Sequence, residues 1–205
     1  MWTERLNEFI TLLVVVNPLG VVPFFLAITR GQDSALRRKV AISSVLISFF
    51  VLLAFIIGGG FLLQKMGIAL RAFQIAGGIV LFLVALNMLN ADGKAPPPAS
   101  EEEAMSLAAY PLAIPKIAGP GTMLTVVVLT DDHRFDILQT AATTGVLVVV
   151  LLIQLALLLL AVPLSKVIGD TGASILGRIM GMLLVALAVN IVLTGLGSWL
   201  GLPKL

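Results

Sequence analysis

Apolar residues run along this chain in six long stretches, separated by clusters of charged residues or of proline and glycine. Each stretch approaches the roughly 20 residues that a helix needs to cross hydrocarbon, which predicts spanning helices over roughly 6–29, 40–63, 69–90, 107–130, 138–161 and 173–197. The segment from Ala91 to Ser106 interrupts this pattern with Pro96-Pro97-Pro98 and Glu101-Glu102-Glu103. It carries too little apolar surface to fold by itself and reads as a linker, 91–106, between a first half, 1–90, and a second, 107–205. The fold class expected is therefore an all-α polytopic membrane protein.

The two halves repeat one another. Asn17-Pro18-Leu19-Gly20 in the first stretch answers to Ala118-Gly119-Pro120-Gly121 in the fourth, aligning Gly20 with Gly121 and Thr29 with Thr130. Gly78, Ala85 and Asn87 in the third stretch have the same mutual spacing as Gly181, Ala188 and Asn190 in the sixth. With three helices per half, the second half enters the membrane from the opposite side. The expectation is two inverted three-helix repeats, with helices 1 and 4 discontinuous.

Composition agrees with this reading and removes several classes of function. Of 205 residues, 59% are hydrophobic and only 12% charged, and the mean hydropathy is +1.11, far above a soluble domain. The absence of cysteine removes disulfides, thiolate metal sites and cysteine nucleophiles. Glu4, Arg5 and Glu8 precede the first apolar run, and no small-residue cleavage site follows it, so that segment is expected to be retained rather than removed as a signal peptide. A net charge of +2 is small for so apolar a chain, and the basic residues read as topology signals rather than as a nucleic-acid surface. Arg37-Arg38-Lys39, immediately before the second stretch, places that loop in the cytoplasm and both termini outside, in the periplasmic or extracellular space.

The two breaks are the candidate chemistry. A proline inside a helix removes a donor and clashes with the preceding turn, while a neighbouring glycine lets the chain bend. In hydrocarbon the freed backbone groups must be satisfied by protein, water or ligand. A half-helix N-terminus after each break offers N–H groups and partial positive charge to a carboxylate, and the preceding carbonyls suit an ammonium or a small cation. A lone proline kink is usually only a kink, but two breaks at repeat-matched positions point to a substrate site near the bilayer midplane. Away from their ends the apolar stretches hold no Asp or Glu, which favours a neutral or zwitterionic solute over a cation pump with a carboxylate relay.

Asn87 and Asn190 are repeat-matched amides that either line a path or bond between helices. Gln74, Thr125, Ser48 and Gln154 read as helix packing. His133, the only histidine, lies among Asp131, Asp132, Arg134 and Asp136 in a polar loop, away from any ligand or catalytic grouping. No metal constellation, nucleophile triad or phosphate-binding loop is evident, so an enzyme is not expected.

Asn17-Pro18-Leu19-Gly20 with Pro23 and Phe25, together with Pro111-Leu112-Ala113-Ile114-Pro115 and Ala118-Gly119-Pro120-Gly121, resembles the signature stretches of the MarC family of bacterial and archaeal inner-membrane proteins. The resemblance implies a secondary transporter of small neutral amino acids, such as alanine or glycine, with export as one direction of transport. It puts weight on Asn17, Pro18, Gly20 and Pro23 in the first half and on Pro115, Gly119, Pro120, Gly121 and Thr122 in the second, and the break motifs add Leu19 and Ala118 to the expected substrate site. Where the family commonly has a small or apolar residue this chain has Lys116. An ionisable side chain at membrane depth either contacts substrate or takes part in coupling, or else snorkels to an interface or aqueous cavity. The expected partners are a small zwitterionic or neutral solute and the lipid bilayer. No cofactor is expected, H+ or Na+ is the candidate coupling ion, and a homo-oligomer is left open. A channel or pore for another small solute is the alternative, since broken helices also build selectivity sites.

Overall fold

A computed structural model describes residues 2–29, 31–90, 100–131 and 137–201, with the side chains of Trp2, Ala27, Leu70, Val84, Asn87, Met88, Asn90, Asp131, Val162, residues 164–178, Met180, Leu183 and Leu184 outside the description. The His133 loop and positions 91–99 of the expected linker also lie outside the described residues. Among the described residues the chain is helical: α1 (Trp2–Val16), α2 (Pro18–Ile28), α3 (Ser34–Lys65), α4 (Leu70–Asn90), α5 (Glu101–Leu107), a wide-turned segment Ala108–Ile117, α6 (Pro120–Asp131) and α7 (Ile137–Leu200).

Thr3–Leu26, Ser34–Lys65 and Ile137–Ala161 are long and apolar enough to cross a membrane, as is the pair Glu101–Ile117 and Pro120–Thr130, which meet at a bend of 54°. Arg71–Leu83 and Val185–Leu200 are shorter apolar helices. Large apolar side chains such as Ile57, Leu138 and Phe61 are exposed, as a lipid-facing surface requires, while a core of Leu12, Val16, Phe25, Leu52, Leu112 and Leu147 is closed to solvent.

Contacts between helices fix their directions. Lys39 Nζ meets Glu101 Oε1 at 2.6 Å, Ser48 Oγ donates to the Ala113 carbonyl at 3.4 Å, and a Cβ at Gly59 would lie 2.7 Å from Val127. α3 therefore runs alongside the whole α5–α6 path in the same direction. Arg71 donates to the Ser198 carbonyl at 2.7 Å, Gly195 faces Ile75, and Gly181 faces Leu89, so α4 is antiparallel to the end of α7.

α7 cannot be one straight rod. A straight helix from Thr143 to Ile191 would span about 72 Å. Thr143 touches Glu8, however, and Ile191 sits with Val15 around Gly121, while Glu8 and Val15 are only about 10 Å apart along α1. α7 consequently doubles back between those contacts and contributes two antiparallel limbs.

The helix of the second half starts earlier than the apolar pattern predicts. Ser100, with extended backbone, accepts the Glu103 N–H at 3.1 Å, an N-cap that starts α5 inside the segment expected to be linker. Glu101, Glu102 and Glu103 then occupy the first turn, where negative charge is favoured by the helix dipole.

Candidate functional site

The first break is a single residue. Asn17 has φ 49°, a left-handed conformation that asparagine tolerates better than most side chains, and its own N–H donates to the Leu13 carbonyl at 3.1 Å to close α1. Its carbonyl and its Oδ1 both accept from the Gly20 N–H, at 2.9 and 3.3 Å. Pro18 follows at the first helical position, where a missing N–H costs nothing. The side chain of Asn17 thus caps α2, and the Gly20 donor, which the sequence pattern leaves open, is already engaged.

The second break is longer than the Ala118–Gly121 motif predicts. Tyr110 and Ile114 adopt extended backbone (φ −136°, ψ 126° and φ −123°, ψ 125°), and each precedes a proline that disfavours the helical conformation of its neighbour. Both the Tyr110-Pro111 and Ile114-Pro115 peptide bonds are cis. The distortion starts at Tyr110 and ends where α6 opens, with Ala118 N–H donating to Ala113 O at 2.8 Å and Met123 N–H to Gly119 O at 2.8 Å. Gly119 lies hard against the Pro115 carbonyl, leaving no room for a side chain. Thr122 Oγ1 donates to Ile117 O at 3.1 Å and bridges the two sides of the break.

Between the breaks lies a cavity of about 310 Å³. Its walls are Val14–Asn17, Gly20 and Val21 on the first broken path, Pro115, Lys116 and Gly119–Thr122 with Leu124 and Thr125 on the second, Gln74 and Leu81 on α4, and Leu187, Asn190, Ile191 and Thr194 on the last limb of α7. Of the sequence-derived candidates, Asn17, Gly20, Lys116, Gly119, Pro120, Gly121, Thr122 and Asn190 come together here. Pro18, Pro23 and Ala118 are buried in the surrounding packing and do not line it, and Leu19 is 65% exposed on the outer surface. The side chain of Asn87 lies outside the described residues.

Lys116 is the one ionisable residue on the described walls. It is buried, with its Nζ 4.9 Å from the centre of the Phe24 ring. The rest is mainly aliphatic, with the amides of Asn17, Gln74 and Asn190 and the hydroxyls of Thr122, Thr125 and Thr194 as polar points. Gln74 also donates to the Ile191 carbonyl at 3.4 Å, tying the two walls together, and Thr125 donates to Gly121 O at 2.8 Å. An ammonium, a few neutral polar groups and an apolar wall in one small volume suit a compact solute bearing a carboxylate.

Sequence reasoning assigned Gln74 and Thr125 to packing and did not single out Thr194. The signal for Thr194 was present: Leu187, Asn190, Ile191 and Thr194 stand at helical spacing on one face, so the choice of Asn190 implied its neighbours a turn away.

The family model described as "MarC family integral membrane protein" matches residues 2–200. The membrane protein YvbG of Bacillus subtilis (strain 168) is 34% identical over 202 residues, covering 96% of this chain and 95% of its own length. A membrane protein of Aquifex aeolicus is 33% identical over 213 residues, with 97% of each chain covered. The inner membrane protein YhgN of Escherichia coli (strain K12) is 29% identical over 204 residues, covering 96% of this chain and 98% of its own. No solved structure matches the chain.

Proposed function

The chain belongs to the MarC family of integral membrane proteins, and from that premise we propose that it is a secondary transporter of small neutral amino acids of the alanine or glycine kind, working by alternating access around the cavity between the two breaks. The observation that carries this reading is that one cavity is bounded by both broken paths, Asn17–Gly20 on one side and Pro115–Thr122 on the other, with a single buried cation on its wall.

Six spans arranged as two inverted repeats belong to this proposal, and repeat-related packing supports them. Gly78 faces Val192 and Gly181 faces Leu89, contacts that exchange when each position is replaced by its counterpart in the other half. Thr29 Oγ1 donates to Phe25 O and Thr130 Oγ1 to Val126 O, both at 2.7 Å and at matched positions. The doubling back of α7 supplies the fifth and sixth spans. The protein carries out no covalent chemistry as a transporter of this kind. It resides in the inner membrane, as the name of YhgN says of that relative, with the Arg37–Lys39 loop cytoplasmic, and an H+ or Na+ gradient supplies the coupling.

Counterflow in vesicles tests the proposal. Vesicles loaded with unlabelled L-alanine, glycine or L-serine are expected to accumulate labelled L-alanine transiently and saturably, and a Gly119→Val variant, which fills the space against the Pro115 carbonyl, is expected not to. Solute movement that is linear in concentration with no counterflow would identify a pore instead, and a flat result for all three amino acids would overturn the substrate class.

A further inference from the structure

The cavity is lopsided. Much of its wall lies on the side of the breaks that leads to the face where α1 begins and α7 ends: Val14–Val16 end α1 at the first break, Gly121, Thr122 and Thr125 open α6 beyond the second, and Gln74 on α4 with Asn190 and Thr194 on α7 lie toward that face. On the opposite side of the breaks the walls reach Val21 on α2 and Pro115–Lys116 on the second path, and beyond them Phe25, Ile28, Leu112 and Ala113 are 0–7% exposed and line no part of the cavity. Lys116 and Phe24 stand at the boundary between these two sides, the ammonium lying over the ring at 4.9 Å.

We propose that Phe24 is a positioning residue that holds the Lys116 ammonium across the closed end of the cavity, and that a solute carboxylate draws the ammonium off the ring and so releases that end. This rests on the transporter reading above and adds to it the trigger and the solute group that pulls it. A carboxylate makes charge-assisted hydrogen bonds to an ammonium, which are stronger than the attraction of a phenyl face for the same cation. Lys116 lines the cavity while its ammonium rests on Phe24, so one side chain reaches both the solute and the closed end. The repeat gives independent support. Under the alignment of Gly20 with Gly121, Phe24 corresponds to Thr125 and Lys116 to Val15, and that pair lines the open part of the cavity. The same two positions therefore occur once opened and once closed, on opposite sides of the breaks. A ligand can move such an equilibrium only through different contacts in the two states, and the exchange of ring for carboxylate is such a difference.

The chain has no cysteine, so one introduced cysteine reports one position. Ile28, a helical turn beyond Phe24 on the same face of α2, is buried, and Thr194 lies on the cavity wall. Ile28→Cys and Thr194→Cys variants in phosphatidylethanolamine–phosphatidylglycerol vesicles are labelled with a membrane-impermeant maleimide supplied to either face. Without solute, adding Phe24→Leu is expected to raise labelling of Ile28→Cys roughly fivefold, the population change available from losing one such contact. Phe24→Tyr, which keeps the ring, is expected to behave as the parent, and an unfolding midpoint in detergent close to the parent's, with Thr194→Cys labelling that is kept or lowered as the other end opens, shows that the variants are folded. L-alanine is expected to raise Ile28→Cys labelling in the parent, whereas alaninamide, which lacks the carboxylate, and L-alanine added to Lys116→Met are expected to have no effect.

Unchanged basal labelling in a folded Phe24→Leu protein overturns the latch whatever the solute is. An L-alanine response that persists in Lys116→Met overturns the ammonium as trigger. A raised basal rate with no L-alanine response in any variant supports the latch and removes the amino-acid reading on which the trigger rests.

Discussion

The Asn17 side chain accepts the Gly20 N–H at 3.3 Å, and the space that a Cβ at position 20 would need is filled by that same amide. The cap and the glycine are one device: the side chain that starts α2 folds over a position that must stay bare. Asn17→Ala loses the cap and forces an alanine to φ 49°, for a combined cost of about 2 kcal/mol. Asn17→Gly loses the cap alone and is expected to cost only a few tenths of a kcal/mol, roughly the difference between good caps and glycine. Thermal unfolding in detergent should rank wild type, then Asn17→Gly, then Asn17→Ala. Equal loss in both variants would show that the amide acts through something other than capping and backbone conformation.

Gly77 holds α4 against the second break. A Cβ there would collide with the ring of Pro120, the first residue of α6. Gly77→Ala must push α4 or α6 aside, and overpacking of this kind costs about 1–3 kcal/mol. Because α4 supplies Gln74 and Leu81 to the cavity, the same displacement is expected to weaken solute binding as well as stability. Gly58, by contrast, has open space where a methyl group would project, so Gly58→Ala is expected to be neutral or slightly stabilising through its higher helix propensity. A thermal-unfolding comparison of the two alanine variants checks the contrast.

Two polar ties link the halves at opposite ends of the molecule, and their burial separates them. Arg5 bonds Glu8, Thr143 and Gln139, joining α1 to the first limb of α7, and Glu8 is buried. Lys39 and Glu101 join α3 to α5 with both side chains 61% exposed. Arg5→Met alone leaves the Glu8 carboxylate buried beside Thr143 and is expected to cost about 2 kcal/mol, less than a fully buried pair because Arg5 keeps some exposure. The double variant Arg5→Met/Glu8→Leu is expected to recover most of that loss. Lys39→Met is expected to change the unfolding midpoint negligibly at physiological salt, since exposed pairs are screened. A Lys39→Met loss as large as that of Arg5→Met would show that burial does not set the strength of these ties.

Much of this organisation is legible in the residues, and what is missing follows from physics that the hydropathy pattern does not carry. Apolar run length gives helices and Asn17-Pro18 gives the first break, because both are local. Pro111 and Pro115 were also local signals, since a residue before proline is driven to extended backbone, and Tyr110 and Ile114 show that the second break starts well before Gly119. Ser100 followed by Glu103 is the sequence form of a capping box, and reading 91–106 by polarity alone hid it. The cavity walls at Gln74 and Thr194 depend on which faces of α4 and α7 meet the breaks. That is long-range packing, and helical spacing gives a face without saying what it turns toward.

Gln154 sits in the first limb of α7 with no solvent exposure, and neither its Nε2 nor its Oε1 has a hydrogen-bonding partner among the described residues. A buried amide left in this way costs about 1–3 kcal/mol relative to a bonded one. Leu151 and Leu158, a turn away on either side, are themselves buried in the apolar core. Gln154→Met keeps length and flexibility while removing the polar atoms, and methionine adapts to irregular spaces. The variant is expected to be more stable than wild type by about 1 kcal/mol, seen as a raised midpoint in thermal unfolding, with counterflow unchanged. A gain in stability accompanied by loss of counterflow would show that the amide is kept for a second conformation in which it finds its partner. A loss of stability would show that it already has one.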